Sequence, residues 1–543
     1  MSVLELEHFK RAAAEIGAHG DNDTLPFEID TRFISEEFEN LANIAFEFAS
    51  RIESVSKKEA VKTLNAIQMF SERLLTPTGY SGFQITTKIH PFWNLYFNGL
   101  GIAIAEKHES VRSDRAHAYR FAKEGATLFD RSSSWRAFRE ATIKDCLELN
   151  SDAVVVQTDI SSFYDHIYHH RLENYISDLF SESSNIQDQI ERMLSKFSGG
   201  RSFGIPVGGQ CSRILAEVLL SSIDSRLSTE GIIWRRYVDD FVLIAENQNR
   251  AYQILAVLSN ALSDYGLTLN RTKTSVLKKN HYIEYMQVQL GSPDEDSNRL
   301  KEIDLYFDPY SDTAEADYEE LKETIEKIDI ERLLGNELDK GQPDNFVVVQ
   351  ISRTLKLMDP FQALNLCSTL LSPNNLHAFR GSWSSVMRGV ASIRADESFQ
   401  KIFVNLDNLL DDIPSHSNHL LSTDVSCLHF LRTLRFHRTD QRAIYVSKLY
   451  KQSPSISVKR ACIDCWRCWK DRDSFIALRN NWQLLNPEEQ RMVWLSSTMF
   501  GDDGAHFRNQ VRTSLPNIWA LGIEKQGSSF AGTYANWAEN VRI

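Results

Sequence analysis

A chain of 543 residues is too long for one ordinary hydrophobic core, and about two to four domains are expected of it. With 42% apolar and 24% charged residues it has the composition of a globular protein, and no run approaches the ~18 apolar residues of a membrane helix. Met1-Ser2-Val3-Leu4-Glu5-Leu6-Glu7-His8 lacks the basic start and apolar core of a signal peptide, and seven cysteines, an odd number, fit reduced thiols rather than a disulfide framework, so a cytoplasmic protein away from membranes is expected.

Taken in chain order, residues 1–75 read as helical, with helix-like apolar spacing from Glu36 to Phe46. Residues 76–150 mix a turn signal, Thr76-Pro77-Thr78-Gly79, with amphipathic stretches rich in Arg and Lys. Residues 151–290 alternate. An apolar strand ends at Asp159, a helical pattern runs from Tyr164 to Phe180, and a Gly-rich loop spans Gly199 to Gly209. A helix from Ser212 to Leu227, a strand pair around Tyr237–Ile244 and a helix from Arg250 to Tyr265 follow. A small antiparallel sheet backed by two helices satisfies this order. Residues 291–318, with Asp308-Pro309, read as an acidic linker. From about 319 to 543 the strand signal disappears, and helix-length amphipathic segments recur between Pro343, Pro360, Pro373, Pro414, Pro454, Pro487 and Pro516; stacked helix pairs are expected. The net charge of −13 hides a segregation that says more than the sum: 294–331 is strongly acidic and 432–479 strongly basic.

The chemistry is concentrated in one segment. Tyr237-Val238-Asp239-Asp240 interrupts the apolar run Ile232–Ile244, and Asp159 ends the apolar strand Val154–Thr158. Carboxylates beside an apolar interior are costly unless they are paired or hold a metal. Acids at the ends of neighbouring strands are what a two-metal phosphoryl-transfer site requires, with cations roughly 3.5–4 Å apart on the attacking and leaving oxygens. Alone, an Asp-Asp pair at a hairpin is a solvated turn; the acid upstream and the Gly-Ile-Pro loop between them select the catalytic reading.

In order and spacing, four segments resemble the palm of reverse transcriptases. They are Asp159-Ile160-Ser161-Ser162-Phe163-Tyr164, Gly204-Ile205-Pro206-Val207-Gly208-Gly209-Gln210, the Tyr-Val-Asp-Asp turn, and Gly266-Leu267-Thr268-Leu269-Asn270 with Lys273. The resemblance covers residues 80–290 and implies an α+β right-hand polymerase. Residues 1–75 would be a helical fingers extension, 76–290 fingers and palm, 291–318 a linker, and 319–543 an all-α helical-repeat-like domain. It implies that Asp159, Asp239 and Asp240, with Ile160 beside them, hold two Mg²⁺ ions for which Mn²⁺ substitutes. Ser161, Ser162, Phe163, Tyr164, Gly204, Pro206 and Gly208 would line the nucleotide site, with Tyr164 a ring that clashes with a 2′-OH and backbone N–H groups near Phe163 meeting phosphate. Lys273 would serve the departing pyrophosphate. Arg235, Arg236 and Tyr237 would touch primer or template. In the basic stretch, Arg435, Arg438 and Arg442 interleave with Tyr445, Tyr450, Trp466 and Trp469 and are expected to bind RNA or single-stranded DNA, against the plainer reading of rings as core and charges as a solvated face.

His166, His169 and His170 lie at helical spacing beside intact carboxylates and read as helix residues, and Cys462, Cys465 and Cys468 share a helix face with no fourth ligand at zinc spacing. Departures from the family pattern are informative. Val207 stands where template-copying relatives carry Gln, and Glu217 where Asn is usual. The chain resembles the bacterial antiphage reverse transcriptases of the abortive-infection and unknown-group type, which pair a palm with a helical C-terminal domain; some of these make DNA without a conventional template, from a protein tyrosine. The resemblance implies dNTPs as substrates and RNA or single-stranded DNA as partners, with a non-coding RNA and self-association left open. The rivals are a retron- or group II intron-like enzyme copying a dedicated RNA, and a catalytically idle RNA-binding scaffold. A nucleotide cyclase is set aside, because the chain has the Gly-Ile-Pro loop and no Gly-Gly-Asp/Glu-Glu-Phe turn.

Overall fold

The computed structural model describes residues 3–541 except 80–81, 124, 126, 131–133, 181–183, 291–299, 301–321, 323–324, 326–327, 341–342 and 524–528. The acidic linker expected over 291–318 therefore lies, but for Leu300, outside the described residues. Four helices open the chain: α1 (Leu6–His19), α2 (Ile29–Glu36), α3 (Phe38–Glu53) and α4 (Lys57–Ala66). An antiparallel hairpin follows, β1 (Ser71–Thr78) with β2 (Gly82–Ile89), in the register Ser71↔Ile89 to Thr78↔Gly82. Sequence periodicity missed it, because Pro77 and Gly79 read as a turn three residues early.

Helix α5 (Pro91–Glu109) starts with Pro at its first turn and with the His90 side chain accepting from the Phe92 N–H. It is buried from Pro91 to Ala105 on all sides, as expected of a helix without a polar stripe. Around it lie the N-terminal helices and helix Gln210–Thr229.

The second sheet comprises β3 (Val154–Thr158), β4 (Ile233–Tyr237), β5 (Asp240–Ala245) and β6 (Ser275–Lys278), in the order β4-β5-β3-β6 with every pair antiparallel. Its helices are α6 (Trp135–Leu147), α7 (Phe163–His166), α8 (His169–Leu179), α9 (Ile186–Phe197), α10 (Gln210–Thr229), α11 (Gln248–Ser263) and α12 (Lys279–Leu290). The run Val154-Val155-Val156 is uninterrupted because both faces are covered. Val154 and Val156 join the main core with α10 and α11, whereas Val155, Val242 and Ile244 pack on the opposite side against Phe138 of α6 and Tyr282 and Met286 of α12. The helix expected from Tyr164 to Phe180 is broken at Ile167-Tyr168. There the chain pairs with the Gly-rich loop instead, through the Tyr168↔Phe203 bridge and the Gly204 N–H donating to the Ile167 carbonyl.

From Ile330 onward all regular elements among the described residues are helical, with 3₁₀ connectors. Pro360, Pro373 and Pro487 open helices at the first turn, where the missing N–H is harmless. Pro414 instead lies inside the last turns of helix Phe403–His416, so it does not separate two helices as its sequence position implied.

These helices pack on the start of the chain, and one contiguous buried cluster runs from Leu4 to Ala538. Glu72 of β1 accepts hydrogen bonds from the N–H groups of Ile456 (2.7 Å) and Ser457 (2.8 Å), at the start of helix Ile456–Cys468. Asp424 accepts from the Leu75 N–H at 3.3 Å. Asp30 of α2 is fully buried with Arg460 (2.7 Å) and Arg491 (3.5 Å), and both arginines also contact Glu488. Lys88 of β2 pairs with Asp21 and Glu28 beside them. Among the described residues no helix is long and apolar enough to cross a membrane.

Candidate active site

The sheet delivers the acids. Asp159 follows β3, and the two-residue turn Val238-Asp239 joins β4 to β5, with Tyr237 paired to Asp240. Because β3 is hydrogen-bonded to β5, the end of one strand and the turn before the other converge. Val238 sits at φ +55°, an uncommon conformation for a β-branched residue. Asp159 is 6% exposed; its carboxylate meets Lys273 Nζ at 2.7 Å and Asn270 Nδ2 at 3.4 Å.

Burial, then repulsion from Asp159 and Asp240, pushes the Asp239 carboxyl up to about 7, and Asp239 shares a hydrogen bond with Asp159. Desolvation and Asp159 raise Asp240 as well, against the opposing charges of Arg139 and Lys273. The hydrogen bond to Asp159 raises Lys273 in turn. Three acids thus face one ammonium, and the surplus charge with hard oxygen donors fits a divalent cation. Among the described residues no group of three His, Cys, Asp or Glu side chains is arranged to hold an ion as it stands. One Asp159 oxygen is already paired with Lys273.

Around the acids, Ser162 is left-handed at φ +46°, Phe163 is buried, and the Tyr164 ring packs edge-on to it at 5.5 Å. Burial and the neighbouring Tyr119 raise the Tyr164 hydroxyl well above its ordinary range. The N–H of Ser161, expected to line the nucleotide site, donates to the Thr268 carbonyl at 2.9 Å. Ile160 is buried and bridged to Leu269. The Gly-x-Pro loop is hydrogen-bonded to this segment through the Ile205 N–H and the Tyr164 carbonyl, which brings Gly204 and Pro206 beside Tyr164.

One partner of this loop went unseen in the sequence. Asn22 Nδ2 donates to the Val207 carbonyl (2.5 Å), the Asp23 N–H to the Gly208 carbonyl (3.2 Å), and Asp23 pairs with Arg213. The guanidinium of Arg213 lies 5.2 Å over the Tyr119 ring. Nothing local in the sequence links residue 22 to residue 207; an Asn-Asp pair near a Gly reads as an ordinary turn.

Several expected nucleic-acid contacts are corrected. Arg236 has no exposed surface and is held by Asp224 and Glu217. Arg235 forks onto Asp145 of α6 at 2.5 and 3.0 Å, stitching β4 to its covering helix. The Tyr237 ring packs 6.0 Å from Phe138. In the basic stretch Arg442 is buried against Asp407 (3.0 Å) and Asp411 (2.5 Å), and Arg435 is bound to Asp464 at 2.9 Å. Arg438 is about half exposed and near Asp440. Trp466 is buried against Tyr450, and Trp469, which donates to the Leu434 carbonyl, Tyr445 and Tyr450 are partly buried and pack on the core. His169 Nε2 meets the Gly204 carbonyl while His166 and His170 face outward, and Cys462 and Cys465 are buried.

Residues 104–290, which hold Asp159, Asp239 and Asp240, match the family model for reverse transcriptase (RNA-dependent DNA polymerase). This segment, about a third of the chain, is similar to reverse transcriptase domains. Over 82 residues the chain is 34% identical to an uncharacterised transposon-derived protein of Caenorhabditis elegans, a stretch that is 15% of this chain and 29% of that relative. Among solved structures it is similar to apo telomerase of Candida tropicalis (13% identity, TM-score 0.32, 65% of this chain and 66% of that one). It is likewise similar to telomerase of Candida albicans in complex with the TWJ fragment of telomeric RNA (11%, 0.32, 64% and 65%). A truncated apo telomerase of Candida tropicalis matches at 17% identity and TM-score 0.29, over 38% of this chain and 49% of its own. The chain thus spans under a third of the curated relative and about half of the truncated telomerase.

Proposed function

We propose that this chain is an RNA-directed DNA polymerase that adds deoxynucleotides at Asp159, Asp239 and Asp240 by a two-metal reaction. One observation supports it above the others: two strand ends bring three carboxylates together with a single ammonium against them, and the Asp239 carboxyl is pushed up to about 7 by burial and its two neighbours. Mg²⁺, when bound, lowers the pKa of the attacking hydroxyl and offsets charge on the triphosphate. The chain's own residues do the rest. Asp159, Asp239 and Asp240 bind the ions. Lys273, already beside Asp159, donates a proton to departing pyrophosphate. Tyr164, backed by Phe163 and Tyr119, excludes a 2′-OH by its bulk. Gly204, Pro206 and Gly208 shape the floor on which the nucleotide rests, and Arg438 offers one exposed cation to RNA or single-stranded DNA.

The finer reading is an antiphage defence enzyme acting on loosely templated or protein-primed synthesis. Val207 in place of Gln, Glu217 in place of Asn and the long helical C-terminal region support it. A second reading, an enzyme that copies one dedicated RNA, draws support from the transposon-derived relative.

The test is dNTP incorporation with Mg²⁺ on supplied primer–templates and on nucleic acid that co-purifies with the protein. Asp239→Asn and Asp159→Asn should each lower the rate on the order of 10²–10³-fold while the chain stays folded. Incorporation by either folded variant at the wild-type rate sinks the polymerase reading and favours a scaffold. Sequencing the co-purified product separates the two finer readings: a faithful copy of one RNA supports the second, and sequence unrelated to any template supports the first.

A further inference from the structure

The catalytic turn rests on four buried charges that the reaction does not consume. Glu217 and Asp224, two turns apart on α10, are 1% and 2% exposed. Arg236, at the penultimate position of β4, reaches both. Its Nε and Nη2 donate to the two oxygens of Asp224 at 2.8 and 2.7 Å. Its Nη1 is shared between Glu217 Oε2 at 2.7 Å and the carbonyl of Val238 at 3.2 Å. Arg112 donates to the same Glu217 oxygen and to the Ala118 carbonyl. Glu109, 3.8 Å from Arg112 and paired with Arg120 at 2.6 Å, extends the cluster to three carboxylates and three guanidiniums, and buried His108 beside them, pushed down to about 3 by burial and by Arg112, adds no charge.

The bond to the Val238 carbonyl is the part that folding alone does not require. Asp224 satisfies one edge of the Arg236 guanidinium, and Glu217 one proton of the remaining nitrogen. The other proton goes to the backbone of a turn whose first central residue is Val at φ +55°. Gly is the ordinary occupant of such a position, because the left-handed region is open to it without a Cβ penalty. A β-branched residue stays there only if its surroundings over-determine it. The residue after Val238 is Asp239.

We propose that Arg236 is a positioning residue for the catalytic turn: aimed by Glu217 and Asp224, it holds the Val238 carbonyl and so fixes the left-handed turn that presents Asp239 to the metal ions. The proposal rests on the polymerase reading for its consequence in catalysis, but not for its consequence in metal binding. Glu217→Gln removes the carboxylate that Arg236 and Arg112 share, leaving Arg236 with Asp224 and Arg112 with the more distant Glu109. Arg236 is then repelled by Arg112, keeps Asp224, and releases the Val238 carbonyl.

Four variants test this: Glu217→Gln, Arg236→Lys, and each combined with Val238→Gly. Mn²⁺ affinity is read by electron paramagnetic resonance, kcat and KM for dNTP by incorporation, and folding by circular dichroism. Glu217→Gln and Arg236→Lys should each weaken Mn²⁺ binding about tenfold and lower kcat at least as much, with KM for dNTP within about twofold of wild type. Adding Val238→Gly should restore most of the Mn²⁺ affinity, because Gly holds the turn without help. A structural role alone would not respond to Gly at 238. Mn²⁺ affinity equal to wild type in either folded single variant overturns the proposal, as does a loss that Val238→Gly leaves unchanged. If one single variant does not fold, the other carries the comparison; if neither folds alone and Val238→Gly restores neither, Arg236 serves folding and the proposal is overturned. An inert wild-type chain that still binds Mn²⁺ removes the polymerase reading and leaves this one standing, whereas a wild-type chain that binds no Mn²⁺ removes both.

Discussion

Asp239 couples protons to metal. Its carboxyl stands at about 7 in the folded chain, against ~3.9 in an unfolded one, because burial and two neighbouring acids disfavour its charge. A raised acid favours the folded state most below the unfolded value, and that contribution is lost as the pH climbs through 7. Without metal, thermal stability should therefore fall between pH 4 and 8, and saturating Mg²⁺ should remove most of the fall. Mg²⁺ competes with the shared proton, so its affinity should rise up to about tenfold per pH unit below 7 and level off above it. Calorimetric titration at pH 6 and 8, in buffers of different ionisation enthalpy, reads the released proton directly. An affinity independent of pH, or equal proton release in Asp239→Asn, would contradict the assignment. At this scale the sequence showed its acids well and its arginines badly. Asp159, Asp239 and Asp240 interrupt apolar strands, and that is a local signal. Arg236 and Arg442 looked like phosphate ligands because a sequence displays a charge without its partner; Asp224 lies 12 residues away in chain from Arg236, and Asp407 lies 35 from Arg442.

At the scale of elements, the loop after α1 holds the Gly-x-Pro loop in place. Gly208 is at φ +92°, and a Cβ there would overlap the side-chain oxygens of Asn22 and Asp23. That loop is gripped from the far side by Arg388, which donates to the Asp23 (2.6 Å) and Leu25 (3.0 Å) carbonyls, and by His429 at the Thr24 carbonyl (2.8 Å). Gly208→Ala should cost about 1–3 kcal/mol of stability from backbone strain alone, and should raise KM for dNTP as the loop moves off the Tyr164 segment. Urea unfolding and incorporation kinetics check the two effects separately. Unchanged values for both would mean that the loop tolerates displacement. The strands and helices carrying the acids were legible because their apolar runs are long and regular. The break at Ile167 was not, since it depends on Phe203 and Gly204, distant in sequence, whereas hairpin β1–β2 and helix α9 carry local signals that went unread.

For the molecule as a whole, the N-terminal helices and the C-terminal region are joined by charge as well as by apolar packing. Burial works to raise Asp30, but Arg460, Arg491 and Lys88 overcome it and hold the carboxyl far below its ordinary range. Glu488 likewise falls to about 2, the arginines and His90 outweighing burial. Depressed acids stabilise the fold above their unfolded values near 4, and that contribution is lost as the pH falls toward 2. Removing one partner from such a cluster strands buried charge. Arg460→Met should cost about 3–5 kcal/mol, seen as a lower urea midpoint with one cooperative transition; a second transition would show that the two ends unfold independently. One apolar cluster draws residues from both sides of position 75 and from both sides of the stretch 291–318.

The hairpin β1–β2 gives this joining a mechanical meaning. Two antiparallel strands are marginal by themselves in water. Here Glu72 caps the start of helix Ile456–Cys468, and the Leu75 amide is fastened to Asp424, so the outer strand is riveted to the C-terminal helices at two points along its length. Displacing the hairpin by itself would break both attachments, so a movement that keeps them carries helices Asp424–Leu434 and Ile456–Cys468 with it.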